Sequence, residues 1–315
     1  MSKKINKKIK VLSSQSGLRV DMVVAKTFPE YSRSHIQKWI KEGALTVDGN
    51  LAKPKKILKK GELIEINAEE SAILKDEPED IKINVISEDK DIIVVDKPSN
   101  LVVHPGAGNR KGTLLNGLIN HNASLANLPR AGLVHRLDKD TSGLLMVAKN
   151  EKTYLNLIKQ LKDRSVVRLY KALVVGEPLS GGTINRPIGR HPRNRTKQAV
   201  VKSGKEAITN YSVKKRLNGY SLLEISLETG RTHQIRVHLS YQGFPIIGDS
   251  IYGGRKKYSK GTSEGLKEKI SNFKRQALHA SSLTFIHPTN EKNSTFESQL
   301  PKDMTKLLNS IQENG

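Results

Sequence analysis

The chain has 315 residues, with 54 Lys or Arg against 31 Asp or Glu, a formal charge of +23. That length allows two domains with buried cores, and so large a charge excess, costly through self-repulsion, points to a polyanionic partner such as nucleic acid. Apolar runs reach only about five or six residues, far short of the roughly 20 that a membrane-spanning helix needs, and the absence of cysteine excludes a disulfide framework, a Cys-based zinc site and a thiol nucleophile.

Residues 1–15 are basic and weakly patterned, and read as a disordered tail. No apolar segment follows Met1 to make a secretory signal, so a cytoplasmic location is expected. A compact module follows over 16–76. Val20, Val23, Val24 and Phe28 recur at helical spacing, then Ile36, Trp39 and Ile40, closed by Gly43. Leu45 and Val47 alternate into the turn pair Asp48-Gly49, and Leu63, Ile64 and Ile66 supply another strand. The run 53–60 carries five lysines in eight residues. A solvated face explains such a run as well as a binding surface does. Here it follows a short helix with Arg33, Lys38 and Lys41, so Lys53, Lys55 and Lys56 join those three as expected nucleic-acid contacts.

The acidic stretch 69–79, with Pro78, reads as a linker. Beyond it, over 80–305, strands and helices mix without regular alternation, which favours an α+β domain over a doubly wound parallel sheet. Ile92 to Val95 form a buried-strand run; Leu223, Ile225 and Leu227 alternate as a half-buried strand; Gly230 turns the chain into a helix with Ile235 and Leu239.

Three motifs fail on inspection. Gly106, Gly108 and Gly112 approximate a dinucleotide fingerprint, but the third glycine is one residue late and no acid follows to hold a ribose. Asp138 and Asp140 have the spacing of a phosphatase nucleophile pair, but His135 and Arg136 interrupt the apolar approach that such a site needs. His233 and His238 stand five apart, which diverges by about 140° on a helix and cannot share a metal. No metal or cofactor is expected.

The most specific string is Val134-His135-Arg136-Leu137-Asp138-Lys139-Asp140-Thr141-Ser142-Gly143, a carboxylate among cations and small hydroxyl residues between two apolar runs. It is accompanied by Asp96-Lys97-Pro98, His104-Pro105, Arg168-Leu169-Tyr170, the segment Arg231-Thr232-His233-Gln234-Ile235-Arg236, and Gln276-Ala277-Leu278-His279. Together these resemble the RluA-type pseudouridine synthases, and the module at 16–76 resembles an S4 RNA-binding domain. The resemblance covers roughly 16–305. It departs at Ser99-Asn100, where many members have a glycine-containing turn; Asn tolerates the same conformation.

What the resemblance implies is an isomerase that breaks the N-glycosidic bond of uridine, turns the base and rejoins it through C5, with Asp138 as the catalytic carboxylate. Arg236 is expected to pair with Asp138 in a two-point grip, Tyr170 to pack on the flipped base or move a proton, Arg136 to fill the vacated stack, and Arg231 and His233 to touch phosphate or buttress the pocket. The implied partner is 23S ribosomal RNA or an assembling large subunit, at the intersubunit-bridge stem-loop, with the protein acting as a monomer away from membranes. A covalent ribosyl ester, an adduct with the base and a glycal route all remain open. The alternative is a non-catalytic RNA-binding assembly factor; such a protein should have lost Asp138 or Arg236, and both are present.

Overall fold

The structure is a computed structural model, and it describes residues 3–28, 31, 33–70, 76–106, 108–194, 196–254 and 258–313. The chain divides into two compact units, Met1–Lys75 and Asp76–Gly315.

In the first unit, β1 (Lys3–Lys10), α1 (Val20–Thr27), α2 (Arg33–Lys41), β2 (Leu45–Val47), β3 (Asn50–Leu51) and β4 (Leu63–Glu70) follow in order. The sheet order is β1-β4-β2-β3. Val20, Val23 and Val24 of α1 and Ile36, Trp39 and Ile40 of α2 meet Leu45, Val47, Ile64 and Ile66 in one core. The β2–β3 hairpin turns at Asp48 and Gly49, both at positive φ, as the Asp-Gly pair favours.

The disordered tail expected over 1–15 is corrected: residues 3–10 pair antiparallel with all of β4. Ile5 is buried and Ile9 packs on the same core, while Lys7 lies over the Phe28 ring. Lys8 meets Glu65 across the strands at 2.6 Å. Two isoleucines four apart suffice for an edge strand whose lysines keep other chains from pairing with it. The linker is also shorter than expected, because Glu69 and Glu70 belong to β4 and Glu77 and Glu79 already lie within the second unit, accepting hydrogen bonds from Asn116 and Gly112. Residues 71–75 of that stretch lie outside the described residues.

The second unit runs through β5 (Val85–Glu88), β6 (Ile92–Lys97), α3 (Leu114–His121), β7 (Ser142–Ala148), α4 (Glu151–Lys162), β8 (Val167–Val175) and β9 (Gly182–Asn185). It continues with β10 (Ile188–Arg190), β11 (Gln198–Val200), β12 (Ile208–Arg216), β13 (Tyr220–Leu227), α5 (Gln234–Tyr241) and α6 (Glu264–Asn272). It ends with β14 (Leu278–Ile286), β15 (Asn293–Glu297) and α7 (Lys302–Glu313), which extends past residue 305 and buries Met304, Leu307 and Ile311. Its large sheet has the order β5-β6-β7-β14-β8-β13-β12-β9, with β15 on β14. Only the β7–β14 pairing is parallel, so the sheet is mixed and the fold is α+β.

Ile93 and Val95 of β6 and Leu145 and Val147 of β7 face a core with α3, α5, α6 and α7. Ile92, Val94, Leu144 and Met146 face a second core under α4. A strand buried on both faces needs apolar residues at every position, which is why these runs do not alternate. β13 does alternate, as expected from Leu223, Ile225 and Leu227.

Register decides where the site forms. Gly143 pairs with Ala280, Ala280 with Tyr170, and Tyr170 with Ile225. Four strings far apart in sequence thus share one row across β7, β14, β8 and β13. Gly143 has φ +114, and a Cβ there would stand 2.2 Å from the Ala280 carbonyl oxygen. Only glycine permits this close approach.

Candidate active site

Asp138 lies on the loop that enters β7. The chain reaches it through a strained turn, with Arg130, Ala131 and Gly132 all at positive φ, a conformation that costs a residue with a Cβ about 1–3 kcal/mol. The loop is then fastened at each step. The Thr141 N–H donates to the Asp138 carbonyl at 3.1 Å. Lys97 Nζ donates to the carbonyls of Lys139, Pro98 and Leu101 at 2.8, 2.7 and 2.9 Å. Arg275 Nη1 donates to the Asp140 carbonyl, and Gln276 Nε2 to Thr141 Oγ1. Ser142 Oγ meets His279 Nδ1 at 2.9 Å. The segments at 96–98 and 276–279 therefore anchor the loop. Burial pulls the Lys97 ammonium down to about 7, against the attraction of Asp140 and Asp138.

Arg236 projects from the first turn of α5. Its Nη1 donates to Asp138 Oδ2 at 2.9 Å. The two-point grip expected on Asp138 goes elsewhere, which corrects that reading: Nε and Nη2 donate to Asp249 Oδ2 and Oδ1 at 2.7 and 3.0 Å. Asp249 also accepts from the N–H groups of Ile251 and Tyr252, and the guanidinium lies over the Tyr252 ring. The side chains of Arg236, Asp249 and Asp138 are 5%, 0% and 16% exposed. A planar guanidinium serves two carboxylates at once, and Asp249 fixes it so that Nη1 meets Asp138. Burial opposes charge on Arg236, but Asp249 and Asp138 outweigh it and raise its pKa. Burial likewise pushes Asp249 up, and the bonds and charge of Arg236 bring it net below the usual carboxylate range.

Two cavities, of about 500 and 390 Å³, share Asp138, Arg136, His104, His233 and Arg236 in their walls. The larger adds Tyr170, Arg168 and Arg231. Arg136 is exposed and Tyr170 is buried on β8. Burial raises the Tyr170 phenol pKa, so it stays protonated at neutral pH. His233 caps α5 in a left-handed conformation, with Nδ1 2.8 Å from the Tyr252 hydroxyl and Nε2 3.9 Å from Asp138 Oδ1. Burial lowers its pKa despite the pull of Asp138. Arg231 Nε donates to the Glu206 carbonyl. His238 is fully buried between Thr209 and the Arg186 carbonyl and takes no part in the cavities. Burial takes His104 to about 4 and His135 to about 3, so both are neutral.

The structure thus brings Asp138, Tyr170, Arg236, Arg136, Arg231 and His233 together. The remaining expected RNA contacts lie on the first unit, where Lys38, Lys41, Lys53 and Lys55 are exposed and Lys56 pairs with Glu62 at 3.1 Å. Arg33 is exposed as well, and its Nε also donates to the buried Asp21, which Arg19 and Gln37 hold too. Sequence reasoning missed Asp249 as the second carboxylate and Arg168 as a cavity residue. A lone acid distant in sequence gives no signal of whom it pairs with. Asp89, Asp91 and His287 also converge closely enough to bind a cation. Their oxygens already accept from Thr289, Asn150, Ile92 and His287.

Residues 91–241 match the family described as RNA pseudouridylate synthase, and residues 18–64 match the S4 domain. The chain is similar to the ribosomal large subunit pseudouridine synthase D of Pseudomonas aeruginosa, 46% identical over 100% of this chain and 98% of the relative. It is 45% identical to that of Xanthomonas campestris, over 97% and 92% of the two chains. Among solved structures, the human RNA pseudouridylate synthase domain containing 4 is 27% identical, with a TM-score of 0.57 over 73% of this chain and 93% of the human one.

Proposed function

We infer that this chain, which belongs to the RNA pseudouridylate synthase family, isomerises uridine to pseudouridine in the ribosomal RNA of the large subunit. The observation that carries the reading is Asp138, fastened by its loop and joined to the buried Arg236 at the meeting of two cavities. The reaction conserves atoms and needs one carboxylate near C1′ or C6 of the nucleotide. Asp138 supplies it, paired with Arg236 at 2.9 Å, whose orientation Asp249 fixes. The target nucleotide leaves its stack at a cost of a few kcal/mol. Arg136, exposed on the wall common to both cavities, occupies the space it vacates, and Tyr170 packs on the base inside the larger cavity. The substrate is the intersubunit-bridge stem-loop of 23S rRNA, free or in an assembling subunit, with the protein acting as a cytoplasmic monomer. Arg231 and His233 steady the flanking phosphates, and the basic first unit supplies affinity.

The test is to map pseudouridine across 23S rRNA from cells with the gene, without it, and carrying Asp138→Asn. The reading expects sites that vanish on deletion and return with the wild-type chain but not with the variant. A map unchanged by deletion overturns it. Restored growth or assembly by the Asp138→Asn chain, with the sites still unmodified, would assign the biological role to RNA binding.

A further inference from the structure

Among the described residues, two buried side-chain atoms lack a hydrogen-bond partner, His104 Nε2 and Arg168 Nε, and both residues line the cavity that holds Asp138 and Tyr170. Native structures rarely leave such groups unpaired, so a pair of them in one cavity points to a ligand. Arg168 is the stronger case. It is 8% exposed and two residues before Tyr170 on β8, so both side chains lie on the same face of the strand. Its guanidinium is held by one bond, from Nη2 to the Leu227 carbonyl at 3.2 Å, and no carboxylate of the described residues neutralises it. The facing wall is Gly230, where a Cβ would stand 3.1 Å from Nη1. A side chain there would crowd the guanidinium.

We propose that Arg168 is a further catalytic residue, donating to a carbonyl oxygen of the flipped uracil and stabilising the negative charge that builds on the base. This rests on the reading of the cavity as a pseudouridine synthase site. When the C1′–N1 bond breaks, its electron pair leaves with the base, giving a uracil anion whose charge is shared by N1, O2 and O4. Asp138 satisfies the sugar by bonding C1′ or by taking the C2′ proton. The turned base then gives a pair from C5 to C1′, Asp138 is released or returns its proton, C5 loses its hydrogen and N1 ends protonated. Atoms and charge balance. Addition of Asp138 to C6 pushes the C5–C6 pair through C5 onto O4, an oxygen that also carries charge in the uracil anion, so a donor at O4 serves every route. A buried, unneutralised cation is poorly screened and worth far more than one in water. Arginine stays charged throughout and gives no proton away, so it can stabilise the anion without quenching the nucleophile that must re-attack. The nearness of its charge is also felt by the Tyr170 phenol and the His135 imidazole, both of which it biases toward the less protonated form.

The experiment measures single-turnover pseudouridine formation at saturating RNA, with RNA affinity by filter binding, for the full chain and for Arg168→Met, Arg168→Lys and Gly230→Ala. Losing one donor to a developing oxyanion costs about 10²–10³ in rate. Arg168→Met should therefore lose that factor while its Kd moves less than about threefold, and Arg168→Lys should recover about tenfold of it. Gly230→Ala keeps the charge but displaces it, and should slow the chemical step with unchanged Kd. It keeps the test open should Arg168→Met fail to fold. A rate within threefold of wild type in both Arg168→Met and Gly230→Ala overturns the proposal. So does a defect that disappears at saturating RNA, which would make Arg168 a phosphate contact used equally in ground and transition states. Absence of pseudouridine formation by the wild-type chain would instead overturn the underlying reading.

Discussion

Replacing Asp249 by Asn removes one charge from a buried pair while keeping its shape. Asp249 and Arg236 are 0% and 5% exposed and joined by bonds of 2.7 and 3.0 Å. Removing one partner of such a pair costs about 3–5 kcal/mol. Asp138 still accepts from Nη1, and an Asn oxygen still accepts from the N–H groups of Ile251 and Tyr252, so the lower end, about 3 kcal/mol, applies. For a unit of this size about 1 kcal/mol moves Tm by about 2–4 °C, giving a fall of roughly 6–12 °C. Calorimetry reads that directly. Single-turnover assays well below Tm then read the function. With Asp249 neutral, Arg236 turns toward Asp138, and misplacement by about 1 Å is worth roughly a hundredfold in rate. The pH arm has a definite sign. Arg236 holds Asp249 below its ordinary 3.8, so the unfolded chain binds the proton more readily, and the pair's stability is present above that value and lost as pH falls through the folded pKa. The Asn variant should lack this acid limb. A Tm within 2 °C of wild type, or turnover within about twofold, would show that Asp249 does not hold Arg236.

Gly143→Ala drives a Cβ to 2.2 Å from the Ala280 carbonyl oxygen at φ +114, and should cost at least about 3 kcal/mol, read as loss of cooperative melting. The neutral His135, held at about 3 by burial, gives an acid-labile fold. Because the unfolded imidazole binds its proton first, stability should fall by about 1.4 kcal/mol per pH unit from about 6.5 downward, and denaturant titrations of His135→Asn should lose that slope. Substituting the exposed Lys53, Lys55, Lys59 and Lys60 by Ala should flatten the slope of log K against log salt by about three if all four meet single-stranded phosphates. An unchanged slope would mark the run as a solvated face. Activity should survive EDTA with folded RNA; loss restored by Mg²⁺ would bring the Asp89, Asp91 and His287 cluster into the mechanism.

Local pattern was enough for most elements. The helices of the first unit were legible because Val20, Val23 and Val24, then Ile36, Trp39 and Ile40, mark one apolar face each, and β13 because its residues alternate. The strand at 3–10 was not, because two isoleucines among lysines look like a solvated tail until β4 supplies both a partner ladder and Glu65. Asp138 stood out because its motif, His135 to Gly143, is a string of chain neighbours, although the anchors of its loop, Lys97, Arg275 and Gln276, come from distant segments. The grip of Arg236 could not be placed, since its choice between two carboxylates depends on where the turn after α5 sets Asp249. Arg168 likewise reads as an ordinary strand arginine. Its distinction is that the register of β8 against β13 and β14 buries it in the cavity without an acid to neutralise it. Sequence by itself determined most of the elements and singled out Asp138 as the candidate carboxylate, because periodicity and motif are properties of neighbouring residues. Which charges are paired and which are left for a substrate is a property of distances between strands, and only the tertiary structure decided it.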